Sequence, residues 1–334
     1  MRKLIIASPL LLVILLAASF ILLLSGLWIW SLTLIISAIL INRCTQVFSF
    51  HPLRKQADRY DFRVLTMNAN RAHKISVNKG TADELIDFIV KQDADIVLLQ
   101  EYNAELYPLV QERLKMVYPF GSDEAHSRFK SVFSRFPIES CEQLVVEASN
   151  PRYKLLQSKY YCKKTVGGTE ILPISKLKVR INGKLIQIFN CHLMSNNYSV
   201  VVRNLRKKNK ALIRGVVSIW KRIDFGSKVR KLQTEIICDH FEQEMPTLVC
   251  GDFNDVNGSS ALSVFRNRRF VDSWWKNGLG FGFTFHGMGL RLRLDHILYD
   301  PQKFKLVNIS VPYSDVSDHN PIICSFVIGK NSVE

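Results

Sequence analysis

From Leu4 to Ile41 the chain contains no Asp, Glu, Lys, Arg or His. In the chain as a whole acid is scarce: 29 Asp and Glu stand against 45 Lys and Arg, a net charge of +16. That surplus favours anionic partners, namely nucleic acid, phosphorylated small molecules or an acidic membrane face, and says nothing about fold. No C-x-x-C pair occurs among the seven cysteines, Cys44, Cys141, Cys162, Cys191, Cys238, Cys250 and Cys324. Their odd number and scatter argue against a disulfide framework or a structural zinc site. Several lie inside apolar runs such as "TLVCGD" and "PIICSF", as reduced thiols packed like small hydrophobes do. A P-loop and a G-x-S-x-G elbow are both missing, which removes two common phosphate and ester chemistries. No internal repeat or low-complexity segment follows the apolar run.

That run is nearly twice the ~20 residues that one membrane-spanning helix needs. Ser25-Gly26 interrupts it near the middle, and Trp28 and Trp30 follow the break, where interfacial aromatics belong if the chain turns at the far face. The expectation is a transmembrane helical hairpin over residues 1–42, with one long tilted helix as the alternative. A cleaved signal peptide would explain Arg2-Lys3, but the run continues past its small-residue cluster, Ala17-Ala18-Ser19. A hairpin puts Arg2 and Lys3 on the same side as Arg43, Arg54, Lys55 and Arg59, and the positive-inside rule makes that side the cytoplasm.

Residues 43–60 are polar and basic and read as a juxtamembrane linker. The remainder, 61–330, carries 47%-apolar-chain material in short runs that alternate with amphipathic stretches. Strands are expected at "FRVLTMN", "ADIVLLQE", "SVFSRFPI", "ISKLKVRI", "KLIQIFNCHL", "MPTLVCGD", "RLDHILYD" and "PIICSFVI". Helices are expected at "TADELIDFIVKQ", with Thr81 as N-cap, and near 200–220 and 228–244. The Asn-Gly of "INGK" reads as a hairpin turn. Strands mixed with helices without strict alternation indicate sheets packed on each other and covered by helices.

Polar residues recur immediately after apolar strands: Asn68 and Asn70, Glu101, His192, then Asp252, Asn254 and Asp255, then Asp295, and finally Asp318 and His319. A strand end is rigid enough to aim a side chain, and the loop beyond leaves room for a ligand. Carboxylates and amide oxygens are hard ligands suited to Mg²⁺, and histidines donate to charge developing on phosphate.

The ordered series "TMNAN", "LLQE", "FSRFPI", "NCHL", "GDFND", "RLDHIL" and "SDHNP" resembles the endonuclease/exonuclease/phosphatase superfamily, the DNase I-like group, in its membrane-linked bacterial branch. The likeness extends from Asp61 to Ile328. It implies a four-layer αββα sandwich and a phosphodiester hydrolase dependent on Mg²⁺, with Mn²⁺ as a substitute. Glu101 and Asn68 would hold the metal, with Asp318 as a further ligand. Asp252 would orient and deprotonate the attacking water, and Asn254 would help position it. His192 and His319 would donate to the scissile phosphate, with Asp295 behind His319. Asn70 stands where many relatives have an acid, and no mid-chain tyrosine or histidine is identifiable; Arg152 or Tyr153 could take that place. The resemblance also implies an inner-membrane bacterial protein with a cytoplasmic domain.

Some segments support two readings. The basic run from Arg203 to Lys231 is either a solvated helix face or a track for a nucleic-acid backbone or anionic lipid. The stretch "GLGFGFTFHGMG" is either a plain connection or a rim that presents Phe281, Phe283, Phe285 or His286 to a base or headgroup. Trp274 and Trp275 read as core and edge packing, and Asp255 as an ordinary loop acid. A nucleic-acid substrate stands slightly ahead of a phospholipid or inositol phosphate. The contrasting reading is a catalytically idle, anchored binding module.

Overall fold

The computed structural model describes residues 2–51, 59–70, 80–101, 107–121, 130–147, 149–157, 165–166, 169–195, 212–287 and 291–329. Two sheets form its centre. One runs in the order β14 (Phe304–Ser310), β15 (Ile322–Ile328), β2 (Phe62–Asn68), β3 (Ile96–Gln100), β5 (Lys130–Ser134) and β4 (Phe120–Gly121). The other runs β11 (Val271–Asp272), β13 (Asp295–Tyr299), β10 (Thr247–Asp252), β9 (Lys184–His192), β8 (Thr169–Ile181) and β6 (Ile138–Glu147), with β7 (Thr165–Val166) beside β8.

Period-two alternation splits each strand between two cores. On β2, Phe62 and Val64 face the other sheet's Leu177, Ile188 and Cys250, while Leu65 and Met67 face outward. The outward set packs against α3 (Gly80–Lys91) and α4 (Tyr107–Leu114) through Leu85, Ile89, Val110 and Leu114. Phe189, Val249 and Leu298 of the second sheet pack against α5 (Leu212–Asp239) and α6 (Ser260–Arg266) through Ile236, Leu262 and Phe265. The order helix, sheet, sheet, helix is the expected αββα sandwich. Cys191, Cys238, Cys250 and Cys324 are buried, and burial pushes the Cys250 thiol up. The "INGK" turn joins β8 to β9 with Asn182 and Gly183 both at positive φ, 49° and 82°, the conformation a right-twisted hairpin requires.

Two expectations need correction. The separate helices near 200–220 and 228–244 are, within the described residues, one helix from Leu212 to Asp239; Gly226 lies inside it because neighbouring apolar residues keep helical spacing across the gap. Thr81 lies inside the first turn of α3, which begins at Gly80.

At the N-terminus α1 (Arg2–Leu24) and α2 (Trp28–Thr45) pack side by side around the tight turn at Ser25-Gly26, with Gly26 at φ 73°. Ser19 and Ser31 face each other across the pair, their Oγ atoms 3.0 Å apart. Among the described residues one helix, Trp28–Thr45, is long and apolar enough to cross a membrane, a property that an anchor shares with a signal sequence. Past it, β1 (Ser49–Phe50) pairs with β12 (Leu279–Gly280). The segment expected as a linker from residue 43 therefore starts with helix and then a strand laid on the domain.

Candidate active site

Strand register delivers the polar residues to one edge. In the second sheet β9 and β10 are parallel and place His192 opposite Asp252. On the other flank of β10, antiparallel β13 places Asp295 opposite Asp252. In the first sheet parallel β2 and β3 pair Asn68 with Gln100, so Glu101 comes one residue beyond. The sheets are joined at this edge by the Asn68 amide, which donates to Asp252 Oδ2 at 2.9 Å and to Glu101 Oε1 at 3.4 Å. Beneath it lies a second polar crossing, where Gln100 Nε2 donates to Asn190 Oδ1 at 2.7 Å.

Asp252 is buried, and its carboxylate accepts the Asn254 backbone N–H at 2.7 Å and the Asn254 amide at 3.0 Å. Asn254 holds a left-handed φ of 49° and also donates to the Leu193 carbonyl. Glycine at 251 is obligatory: its φ is 131°, and a Cβ there would lie 2.0 Å from the Cys191 carbonyl oxygen. His192 Nε2 is 3.3 Å from Glu101 Oε1 and 3.8 Å from Asp252 Oδ2. His319 Nδ1 is 2.8 Å from Asp295 Oδ2.

Electrostatics separate the roles. Burial raises the Asp252 carboxyl above its usual range, and the nearby Asp295 charge adds to the rise; His319, His192 and the Asn68 hydrogen bond oppose it. Burial alone would lower His319, but the Asp295 charge and hydrogen bond, with Asp252 and Asp318, more than offset it and raise the imidazole to about 10. The site thus holds a carboxyl group of heightened proton affinity beside an imidazole held in its charged form. The ligand atoms of Asp252, Asp295 and His319 lie within 4.8 Å of one another. An imidazolium that donates its Nδ1 hydrogen to Asp295 does not ligate, so His319 is the member of this group suited to phosphate.

The chain matches the endonuclease/exonuclease/phosphatase family model over residues 65–319. It belongs to that family. Solved structures agree on the fold. The family protein from Bacteroides vulgatus shares 17% identity over 80% of this chain and 99% of its own, with a TM-score of 0.56. The human Nocturnin catalytic domain with bound sulfate shares 16% over 83% and 97%, at 0.53. D. rerio TDP2 complexed with a single-strand DNA product shares 15% over 79% and 98%, also at 0.53. No match is found among curated proteins.

Endonuclease/exonuclease/phosphatase proteins are phosphoesterases that generally use a divalent metal, and the donor set here suits one. Buried Oδ1 atoms of Asp318 and Asp295 have no hydrogen-bond partner among the described residues, a costly state for a carboxylate oxygen unless a cation or a donor satisfies it. Glu101, one residue beyond β3 at the same edge, adds further oxygens of the hard type that a divalent cation takes. Asn68 touches Glu101 through its amide nitrogen. Its amide nitrogen faces Asp252 and its Oδ1 accepts the Asn70 N–H at 2.8 Å, so here it holds Asp252 in place.

Of the substrate-binding candidates, Asn70 enters through that backbone bond, at φ 47°. His286 donates its backbone N–H to the Asp318 carbonyl, and its ring lies 5.5 Å from the Tyr313 ring. Arg152 pairs with Asp239 at the end of α5, at 2.6 Å, where the turn Pro151–Gln157 lies against that helix. Asp255 needs correction: it is no ordinary loop acid but, within the loop after Asp252, a buried partner of Arg230 at 2.9 Å. Arg230 and Gln233 also grip the carbonyl and N–H of Met194, two residues beyond His192.

Residues with no catalytic look in the sequence complete the frame. Ser317 Oγ donates to the Asn68 carbonyl and accepts the His319 N–H. Thr284 Oγ1 accepts the N–H of both Leu294 and Asp295. Phe285, in the glycine-aromatic stretch, lies 5.1 Å from the His319 ring and packs beside it. Trp274, within the expected packing role, donates to the Gly280 carbonyl.

Proposed function

We propose that this chain is a membrane-anchored, metal-dependent phosphodiester hydrolase. The observation that carries the reading is the meeting of Asn68, Asp252 and Asn254 with Glu101 and His192 and with the Asp295–His319 pair, all at one edge of the two sheets. Asp252, held by three N–H donors and raised by burial, would orient water and take its proton. His319, charged and oriented by Asp295, would donate to a phosphate oxygen, with His192 as the second donor. Glu101 and Asp318 would hold Mg²⁺, or Mn²⁺ in its place, which neutralises charge on the phosphoryl group when bound. The apolar hairpin supports membrane attachment, and the basic residues after it, with scattered cysteines that lack any C-x-x-C pair, support a cytoplasmic domain at a bacterial inner membrane.

The test is hydrolysis by the full chain in detergent with Mg²⁺ or with a chelator. Probes are bis(p-nitrophenyl) phosphate, abasic DNA, single-stranded DNA and RNA, sphingomyelin and inositol phosphates. Chelation is expected to abolish turnover. His319→Ala and Asp252→Asn are each expected to lower it by roughly 10²–10⁴-fold, while Asp252→Asn keeps or raises the melting temperature because it removes a buried charge. Variants equal to the parent on every probe that the parent turns over would overturn the site assignment, and a parent inactive on every probe would leave the fold as an idle binding module.

A further inference from the structure

The helix that is apolar enough to span a membrane is joined to the catalytic domain without slack. Gln46 caps α2 in the left-handed conformation, φ 52° and ψ 39°. Its carbonyl accepts from Arg293 Nη2 at 3.3 Å and from Asn257 Nδ2 at 3.4 Å. Gly258 lies directly on the helix end: a Cβ at that position would be 2.9 Å from Thr45 Cα and from its carbonyl oxygen. Phe48 then meets Phe281 edge-on at 5.1 Å, Phe281 stacks on Phe283 at 5.1 Å, and Ser49 Oγ donates to the Trp275 carbonyl.

Both partners of the helix end belong to the frame of the site. Arg293 precedes Asp295 by two residues, and Asn257 and Gly258 close the loop that begins at Asp252. From Asp252 to Gly258 the chain can span at most about 22 Å. α2 has 18 residues and so is about 27 Å long, close to the ~30 Å hydrocarbon thickness. Its last residue, Thr45, therefore reaches the hydrocarbon boundary when α2 spans. Beside it, Phe50 and Leu279 are cross-strand partners that remain 69% and 56% exposed. An isolated exposed apolar residue is ordinary, but a paired set at the foot of an apolar hairpin continues its lipid-facing surface.

We propose that this joint seats Phe50 and Leu279 in the bilayer interface and presents the site to phosphodiester headgroups of membrane lipid. The proposal rests on the membrane-anchored phosphodiesterase reading above. A substrate dissolved in the cytoplasm needs no fixed orientation to the bilayer, and a flexible tether would serve it equally. A headgroup confined to a layer of about 5–8 Å is reached productively only by a site held at one height and angle.

The full chain reconstituted in phosphatidylcholine–phosphatidylglycerol vesicles with Mg²⁺ tests this against two soluble probes, bis(p-nitrophenyl) phosphate and a single-stranded oligonucleotide. Release of headgroup phosphate from the vesicles is expected. The double variant Phe50→Ser/Leu279→Ser is expected to lower lipid turnover on the order of tenfold or more and to leave bis(p-nitrophenyl) phosphate turnover unchanged. Turnover of the oligonucleotide with none of the lipid, or equal losses on lipid and soluble diester, would overturn the lipid assignment. Failure of the parent on every diester would instead overturn the phosphodiesterase reading, and this proposal with it.

Discussion

The His319–Asp295 pair makes a specific demand on pH. His319 is raised in the folded chain to about 10, against about 6.5 in an unfolded chain. The folded state therefore keeps a proton that the unfolded state releases between those values. The resulting stabilisation is fully present below about pH 6.5 and is lost as pH rises through about 10. Thermal melts of the parent across this window are expected to show a falling midpoint, and His319→Gln is expected to flatten the fall. An unchanged slope in the variant would mean that His319 is neutral in the folded protein. Asp252 shifts upward as well, but for the opposite physical reason, desolvation of a negative charge. The two shifts together hold a base and an acid within one small volume, the division of labour that hydrolysis of a phosphate ester needs.

At the scale of elements, the site depends on a brace behind the strands. Asp272, the last residue of β11, accepts from Arg293 Nη1 with both oxygens at 2.8 Å and lies 2.7 Å from His296 Nδ1. His296 Nε2 in turn lies 3.0 Å from the Asp255 carbonyl, in the loop after Asp252. Burial would raise the Asp272 carboxyl, but Arg293 and His296 drive it far below the usual carboxylate range. The stability this contributes is present above about pH 4 and is lost as acid protonates Asp272. Asp272→Asn would leave the Arg293 guanidinium buried without its counter-charge, a change expected to cost about 3–5 kcal/mol. Denaturant unfolding at neutral pH measures it. A loss below ~1 kcal/mol would show that water reaches the pair and that the brace is soft.

For the whole molecule, sidedness is open to direct measurement through Cys44, which is exposed one residue before the end of α2. With a hairpin and a cytoplasmic domain, a membrane-impermeant maleimide is expected to leave Cys44 unlabelled in intact cells and to label it after lysis. Labelling of intact cells would place the domain outside and overturn the topology. The net charge of +16 would then no longer face the anionic inner leaflet.

Much of this architecture was legible in the amino-acid order because its causes are local. Alternation along "FRVLTMN" and "KLIQIFNCH" marks strands whichever partner they find, and the uncharged Leu4–Ile41 run needs no tertiary context to be read as apolar helix. The strand-end polar series, taken in order, identified the family. What the tertiary structure alone decided are contacts between residues far apart in sequence. Asn68 bonding Asp252, Ser317 tying Asn68 to His319, and Asp255 paired with Arg230 have no local signature. Asp255 was misjudged for the same reason, since nothing in its sequence neighbours tells a buried ion-paired acid from an exposed loop acid. The union of α2 with Gly258 likewise depends on a glycine that the turn alone would explain, until the helix end is seen lying on it.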